Sequence, residues 1–320
     1  MSILAFGDLH LSKDPLRILT VMNFLDYIHN YCIEHEIKNV VNLGDLLHTP
    51  ELNSNAFVPV FRKLFNMSKD VHIYSILGNH EIKNKDGNDT LIETFSSFGT
   101  FIQKSQTINI DGMDYDFLSY TEDVTSIPNK SRVLFGHLEV EGFYYNPNRK
   151  IDGSYFTPDL FDQYNLVVSG HLHHEQHRDN FEFVGSPFAT NKGEGGKQNY
   201  FAVIDGSTCE LIPYNEGPDY ITIDVNKFNE DIDYRNKIVT VQIDKKVENF
   251  VKLRDILLDR GALEIIPQFI KEEVEDTGEH KVDTNEGVVK SAAKYLQEVK
   301  APNIDNNKLL SCFKEVLKRV

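Results

Sequence analysis

Five short apolar runs along the chain share one design, because each ends in glycine followed by a residue that can bind a metal ion. They read ILAF-GDLH from residue 3, VVNL-GD from 40, VHIYSIL-GNHE from 71, VLF-GH from 133 and LVVS-GHLH from 166. Near-continuous apolar runs of this length predict buried strands. Glycine permits a sharp turn or a close backbone approach, so the pattern predicts polar side chains placed directly at strand ends.

Helical spacing of apolar residues separates the first runs. It occurs over residues 18–32, behind Pro15, and again over 57–65. Strand–helix–strand units predict crossover connections and a largely parallel arrangement. Beyond Asn180 the pattern changes to short strands at 181–184, 200–204 and 209–212. We therefore predict a layered α/β domain over residues 1–215.

A smaller α+β unit is predicted over residues 216–270. Its residues 237–243 alternate like a strand, 247–258 have helical spacing, and 263–266 resemble a strand again. Residues 271–287 contain seven Asp or Glu and two Lys, which is typical of a solvated linker.

The last part of the chain carries the same apolar spacing twice. Residues 288–299 and 309–320 each place six apolar side chains on one face of a helix, and residues 302–306 break the pattern between them. Either these helices form a hairpin on their own domain, or they form an arm that docks on a partner helix or coiled coil. The acidic linker before them favours the arm.

Composition is that of an ordinary globular protein, with 40% hydrophobic and 26% charged residues in 320. We expect neither a membrane span nor a secretory signal, because no apolar run is long enough. Three widely spaced cysteines fit a reduced, cytoplasmic protein. The net charge of −16 argues against a surface that binds nucleic acid by itself, although metal-binding carboxylates or a basic partner weaken this objection.

The residues at the strand ends form a candidate metal site. They are Asp8, His10, Asp45, Asn79, His80, His137, His171 and His173. Carboxylate, imidazole and amide ligands suit Mn²⁺, Zn²⁺, Fe²⁺ or Mg²⁺, and the lack of thiolates argues against a structural zinc site. Each residue alone has an ordinary explanation, such as a helix cap or a turn. Together they are too many for one ion and adequate for two.

The ordered motifs resemble those of calcineurin-like metallophosphoesterases. Further segments, GDLLH at 44–48, GHLEVEGF at 136–143 and GSPF at 185–188, resemble the nuclease subunit of SbcCD-type DNA repair complexes, and bacteriophage recombination exonucleases look closest. The resemblance implies a four-layer α/β/β/α sandwich and a DNA-contacting capping domain at 216–270. It also implies that residues 288–320 form a helix–loop–helix arm that binds the coiled coil of an SMC-like ATPase.

The resemblance also implies roles for individual residues. Asp8, His10, Asp45 and His173 would hold the first metal ion, and Asp45 would bridge to a second ion held by Asn79, His137 and His171. His80 would stabilise the transition state or protonate the leaving oxygen, and His48 would position the scissile nucleotide. The expected ions are two Mn²⁺. Glu81 departs from the Asp usual in the nuclease branch, and we expect His174 and His177 to face solvent.

The expected function is that of a two-metal DNA nuclease subunit, with 3′-to-5′ exonuclease and single-strand endonuclease activity in DNA recombination, repair or replication. It would act in the cytosol of a bacterium or of a phage-infected host. One alternative is a phosphomonoesterase or protein phosphatase, but the arginine pair of protein phosphatases is missing: Thr49 and Pro50 follow His48, and Leu77 precedes Gly78. The other is a non-catalytic regulatory subunit.

A homodimer is expected as well, within a heterotetramer with the ATPase. The resemblance places its contact near residues 52–67 and 89–98. Apolar surface for it would come from Phe57, Phe61, Phe65, Leu91, Ile92 and Phe95.

Overall fold

The apolar runs form central strands of two six-stranded sheets in the computed structural model. The structure describes residues 2–50, 55–82, 96–226, 231–243 and 247–269, and only the backbone of 247–249. These residues belong to one unit, residues 1–270. The predicted linker at 271–287 and the predicted arm at 288–320 lie outside the described residues.

The described part of the chain contains the following elements. The strands are β1 Ser2–Phe6, β2 Asn39–Asn42, β3 His72–Ile76, β4 Thr100–Ile102, β5 Gln106–Ile110, β6 Met113–Leu118, β7 Val133–His137, β8 Tyr144–Asn146, β9 Arg149–Lys150, β10 Leu166–Gly170, β11 Gln176–Arg178, β12 Phe181–Phe183, β13 Asn199–Asp205, β14 Thr208–Tyr214, β15 Asp219–Asp224, β16 Lys237–Ile243 and β17 Glu264–Phe269. The α-helices are α1 Pro15–Glu34, α2 Val58–Met67 and α3 Val247–Asp259. Short 3-10 helices include Asn79–Glu81, Pro158–Phe161 and Lys192–Glu194.

The first sheet has the order β14-β13-β1-β2-β3-β4, and the second has the order β11-β12-β10-β7-β6-β5. Strands β1 to β4 run parallel, and so do β6, β7 and β10. The predicted parallel arrangement is therefore confirmed. As a consequence, the loops after β1, β2 and β3 leave the first sheet at one edge, and those after β7 and β10 leave the second sheet at one edge.

Strand β1 is buried on both faces, which explains its unbroken apolar sequence. Leu4 and Phe6 point into a core formed with the helices, whereas Ile3 and Ala5 point into the core between the two sheets. Alternate residues of a strand face opposite sides of its sheet, so one strand contributes to two cores. The layered α/β sandwich is confirmed.

Helices α1 and α2 cover the outer face of the first sheet. Asp14 caps α1 by accepting a hydrogen bond from the backbone N–H of Leu16 at 3.1 Å, and Pro15 occupies the first turn. The helix buries the side that its spacing predicts, including Val21, Leu25 and Ile28. Among the described residues, no helix has both the length and the apolar character needed to cross a membrane.

The outer face of the second sheet is covered differently. Residues 138–164 pack there through Phe143, Phe156 and Phe161. In place of α-helices, this fourth layer contains the β8–β9 hairpin and the 3-10 helix Pro158–Phe161. Pro, Gly and Asn recur through the segment, and its apolar residues lack helical spacing, so it covers the sheet as an irregular chain.

A small parallel sheet of order β15-β16-β17 follows the sandwich. Helix α3 connects β16 to β17, and the unit has its own core around Tyr234, Val241 and Leu257. Strand β16 and helix α3 lie where the sequence predicts them, and β17 extends beyond the predicted 263–266. The domain boundaries at 215 and 270 stay predictions.

Candidate metal centre

The ends of five strands bring the seven candidate ligands together. The loop after β1 carries Asp8 and His10, the loop after β2 carries Asp45, and the loop after β3 carries Asn79. His137 is the last residue of β7, and His171 and His173 follow β10. Three groups of described residues have ligand atoms within 4.8 Å of one another: first Asp8, His10 and His173, second Asp45, His137 and His171, and third His10, His48 and His80. Asn79 joins the second group, since its Oδ1 lies 3.0 Å from His171 Nδ1 and 3.1 Å from His137 Nε2. The first two groups contain residues of the two predicted ligand sets, and the assignment of ligands to ions stays a prediction.

Asp45 lies between the first two groups. Its Oδ2 is 3.5 Å from His137 Nε2 and 3.8 Å from His10 Nε2. Its Oδ1 accepts a hydrogen bond of 2.9 Å from the backbone N–H of His80. One carboxylate therefore contacts residues of both sets, which is what a bridging ligand must do.

Four of the seven candidate ligands have a left-handed backbone. The φ angles are 57° at Asp8, 45° at His10, 50° at Asp45 and 84° at His171. For residues other than glycine this conformation is uncommon, costs about 1–3 kcal/mol each, and is concentrated at functional sites. Backbone hydrogen bonds of 3.0 Å from Asp8 to Gly44 and from His10 to Asp45 hold two of these loops together. The strained backbone turns the ligands into the same space.

Two glycines of the motifs are required by close contacts. A Cβ at Gly44, where φ is 96°, would lie 2.7 Å from both the backbone N of Gly78 and Nδ1 of His137. A Cβ at Gly78 would overlap Oδ1 of Asp45. Any side chain at either position would push the loops apart, which explains why glycine precedes the ligand in these two motifs.

Hydrogen bonds fix how two of the ligand histidines are oriented. His137 Nδ1–H donates to the backbone oxygen of Leu43 at 2.8 Å, and His173 Nδ1–H donates to Oε1 of Glu194 at 2.8 Å. In each ring Nε2 then faces the centre, as metal-binding histidines require.

The donor atoms of the centre fit divalent metal ions. His10 Nε2 and His173 Nε2 face each other at 2.9 Å, where only one of them can carry a proton. Asn79 Oδ1 and His137 Nε2 also approach each other, at 3.1 Å. Nitrogen and oxygen donors that converge in this way suit ions such as Mn²⁺ or Zn²⁺. When bound, these ions would withdraw charge from phosphoryl oxygens and activate a water molecule.

The charge states of His10 and Asp45 are those of metal ligands. Burial, followed by the charge of His173, lowers the pKa of His10 to about 2, so its ring is neutral at physiological pH. Burial raises the pKa of Asp45, but the charge and hydrogen bond of His137 outweigh it and hold this pKa below its ordinary value. A neutral imidazole and an ionised carboxylate are the ligand forms that metals bind.

His80 and His48 lie together beside the ligands. His80 Nδ1–H donates to the backbone oxygen of His48 at 2.6 Å, and its Nε2 lies 3.9 Å from Oδ2 of Asp45. The ring of His48 is exposed and stacks on that of His80, with centroids 5.5 Å apart. His80 is thus fixed at one nitrogen while the other faces the centre, where it could donate a proton to a leaving oxygen. The roles of both residues stay predictions.

Glu81 holds two of the ligand loops together, a role that the sequence does not indicate. Its buried carboxylate accepts backbone hydrogen bonds from Asp45 at 3.0 Å, Leu47 at 2.8 Å and Gly78 at 2.8 Å. Burial and the charge of Asp45 raise the pKa of Glu81 to about 8. The longer side chain of Glu, compared with the expected Asp, spans the space between the loops.

Glu194 is a second residue that sequence patterns do not reveal. Besides its bond to His173, it accepts the backbone N–H of Thr190 at 2.6 Å, and it is buried. Its 3-10 helix also contacts the small sheet, since Lys192 Nζ donates to Oε1 of Gln268 at 3.1 Å. The orientation of His173 is therefore tied to the segment that joins the sandwich to the small sheet.

The two histidines expected to face solvent differ in the structure. His177 is exposed, as predicted. His174 is only half exposed, and its Nε2 accepts a hydrogen bond of 2.8 Å from Lys197 Nζ. The expectation was wrong for His174 because residue 197, distant in sequence, covers its ring.

Two cavities adjoin the ligand cluster, one lined by His10 and the other by His171. One of about 390 Å³ lies between His10, His48 and His80 on one wall and Arg17 and Tyr220 on another. The second, of about 690 Å³, is lined by His171, Tyr145, Asn148 and Lys197, among others. Both are also lined by His173 and Asn191, so they meet at the cluster.

A family model for calcineurin-like phosphoesterases matches residues 1–175. The chain belongs to this family. The matched span contains all seven candidate ligands together with His48 and His80. Calcineurin-like phosphoesterases are metal-dependent hydrolases with a dinuclear metal site, so the prediction of a metal-binding phosphoester hydrolase is confirmed.

Solved structures similar to this phosphoesterase include two with low sequence identity. A protein of unknown function from Aquifex aeolicus is 13% identical, with a TM-score of 0.29, and the match covers 56% of this chain and 82% of that one. A dimetal phosphatase from Danio rerio is 10% identical, with a TM-score of 0.40, over 67% of this chain and 99% of that one. No curated protein sequence gives a significant match.

Proposed function

We propose that this calcineurin-like phosphoesterase is a DNA nuclease that hydrolyses phosphodiesters with two divalent ions, most readily Mn²⁺, in the cytoplasm. The observation that carries the proposal is the pair of cavities that meet at the candidate metal centre. A phosphodiester has two substituents on the scissile phosphorus, and each needs room on its own side. If a nucleic-acid strand crosses the centre, the part before the scissile phosphate can occupy one cavity and the part after it can occupy the other.

The residues around the cluster support a diester more than a monoester. A phosphate monoester carries an additional charge, and sites for it use arginines that bind two phosphate oxygens at once. Among the described residues lining the two cavities, the arginines and lysines are Arg17 and Lys197, one in each cavity. Two separated cations can each pair with a different phosphate of one nucleic-acid strand. The 3′-to-5′ exonuclease and single-strand endonuclease activities are proposed from the sequence motifs.

His80 is proposed to complete the reaction on the leaving side. Its Nδ1–H is held by the backbone oxygen of His48, so Nε2 is the atom that would give a proton to the departing 3′ oxygen. Histidine is the side chain most often used to transfer a proton to or from a reacting group. His48, exposed beside it, would contact the scissile nucleotide.

Hydrolysis of paired model substrates tests the proposed function. With Mn²⁺ we expect the enzyme to degrade end-labelled single-stranded DNA and to hydrolyse bis(p-nitrophenyl) phosphate at least about 10-fold faster than p-nitrophenyl phosphate, a difference of about 1.4 kcal/mol in the barrier. The label pattern reports the direction of degradation. A preference for the monoester, with no cleavage of DNA, would favour a phosphatase of the same fold.

We also propose that the protein is a homodimer that binds an SMC-like coiled-coil ATPase through residues 288–320. On α2, Val58 and Phe65 are exposed and leave apolar surface, whereas Phe57 is buried in its own core and Phe61 is partly buried. Leu91, Ile92 and Phe95 lie outside the described residues. A basic partner would also compensate the net charge of −16.

Light scattering on the purified assembly tests both contacts. The full chain, co-expressed with such an ATPase, is expected to give a particle of two plus two subunits. After deletion of residues 288–320 we expect a homodimer of the nuclease alone. A monomer at micromolar concentration, or an ATPase that stays bound after the deletion, would contradict the proposal.

A further inference from the structure

We propose that Arg17 and Tyr220 form a subsite for the nucleotide next to the scissile phosphodiester, with Arg17 binding its phosphate and Tyr220 its base. This inference rests on the proposed function and names residues that would recognise the substrate. It concerns the smaller cavity, which lies between the candidate ligands and the small sheet.

Arg17 places a positive charge, with one unused donor, beside the smaller cavity. On the first turns of α1, its Nη2–H donates to the backbone oxygen of Thr190 at 2.8 Å, and its Cζ lies 5.3 Å from the ring centroid of Phe188. The other terminal nitrogen, Nη1, is buried and has no hydrogen-bond partner in the described part of the chain. A buried charged donor without a partner is costly, and a small turn of the guanidinium towards the cavity would let a phosphate oxygen relieve that cost.

Arg17 lies in the same cavity as histidines of the candidate centre. Arg17 and Tyr220 line the same cavity as His10, His48 and His80. A substrate group that leaves the centre on this side must therefore pass between these histidines and the Arg17–Tyr220 pair. Arg17 is the one arginine or lysine among the described residues lining this cavity, which also contains Asp14. The Asp14 carboxylate already accepts the Leu16 N–H as the cap of α1, so it is oriented towards its own helix.

Tyr220 gives the subsite an aromatic surface. Tyr220 lies near the start of β15 and is half-buried against the sandwich. Gly195 of the sandwich packs against it so closely that a Cβ at position 195 would overlap the backbone oxygen of Tyr220. Guanidinium and phosphate pair through charge-assisted hydrogen bonds, and a tyrosine ring can stack on any base. Together they match one nucleotide of a single strand. The small sheet thereby contributes directly to substrate binding.

The experiment compares substrates that do and do not carry the neighbouring nucleotide. Arg17→Met keeps the length of the side chain and removes its charge, and Arg132→Met is the matched control. Arg132 also donates to a backbone oxygen, that of Gln163 at 2.9 Å, but it precedes β7 and lies at the opposite end of that strand from His137. Each protein is assayed on an oligothymidylate, on the same strand with a neutral methylphosphonate beside the scissile linkage, and on bis(p-nitrophenyl) phosphate.

For Arg17→Met we expect kcat/KM on the oligothymidylate to fall about 10- to 100-fold, the usual effect of losing a charged hydrogen bond. The loss on bis(p-nitrophenyl) phosphate should be at least about tenfold smaller. The methylphosphonate should slow the unsubstituted enzyme and have little further effect on the variant, because both changes remove the same interaction. Arg17→Lys should recover part of the rate, Tyr220→Leu should raise KM for the oligothymidylate, and Arg132→Met should change no rate.

Equal losses on all three substrates, or additive effects of Arg17→Met and the methylphosphonate, would overturn the subsite. Either result would show that Arg17 acts by holding α1 to the loop of Thr190. Failure of the unsubstituted enzyme to hydrolyse any diester would overturn the proposed function instead, and the subsite with it. The two failures are therefore distinguishable.

Discussion

Replacing Asp45 with asparagine is expected to lower the rate of phosphodiester hydrolysis on the order of 10³-fold, as loss of a single charge-stabilising group in an active site can do. Asp45 contacts both ligand groups, with its Oδ2 3.5 Å from His137 and 3.8 Å from His10. Asparagine keeps the shape but loses the negative charge that a bridging ligand supplies. Titration calorimetry with Mn²⁺ should show at least one of two sites lost or strongly weakened.

Asp70→Asn provides a matched control for Asp45. Asp70 also pairs with a histidine, His29, at 2.9 Å, but it is exposed and precedes β3, at the end of the strand away from the candidate centre. Its replacement should leave both the rate and metal binding unchanged. Full activity and two intact metal sites in Asp45→Asn would refute the assignment of the centre.

Glu81→Ala is expected to lower the free energy of unfolding by about 3–5 kcal/mol, since a buried donor left without a partner costs roughly 1–3 kcal/mol. Three backbone N–H groups, of Asp45, Leu47 and Gly78, donate to its carboxylate, and alanine would leave them without an acceptor. The loops that carry Asp45 and Asn79 would also separate, so activity should fall with stability. Urea unfolding measures the first effect, and kcat measures the second.

Glu210→Ala is the control for Glu81→Ala, because Glu210 is an exposed residue of β14. It should change the unfolding free energy by less than about 0.5 kcal/mol. If Glu81→Ala unfolds at the same urea concentration as the unsubstituted protein, the three hydrogen bonds do not hold the loops as described.

The candidate ligands could be predicted from sequence because each follows a local pattern. An apolar run, a glycine and a ligand are neighbours in the chain, and parallel strands deliver their ends to one edge of a sheet, so residues as distant as Asp8 and His173 meet. The start of α1 could also be predicted from neighbouring residues, because Pro15 indicates it.

The supporting residues could not be predicted in this way. Glu194 reaches His173 from a short 3-10 helix, and Arg17 meets Thr190 across 173 positions of sequence. Neither contact leaves a periodic or spaced signal. Strand β15 was also not predicted. Its Ile221 and Ile223 alternate with polar residues, but two apolar positions in a polar segment are too few to indicate a strand. The irregular fourth layer departs from the expected α-helices since residues 138–164 lack helical spacing.

The left-handed backbone at Asp8, His10, Asp45 and His171 has a consequence for protein engineering. Grafting the seven side chains onto loops of ordinary conformation in another scaffold would aim four of them in the wrong direction, however well their Cα positions agreed. A transplanted centre would have to include the main-chain path and the glycines that permit it. The transferable unit is a set of loop conformations, and the side chains alone do not define it.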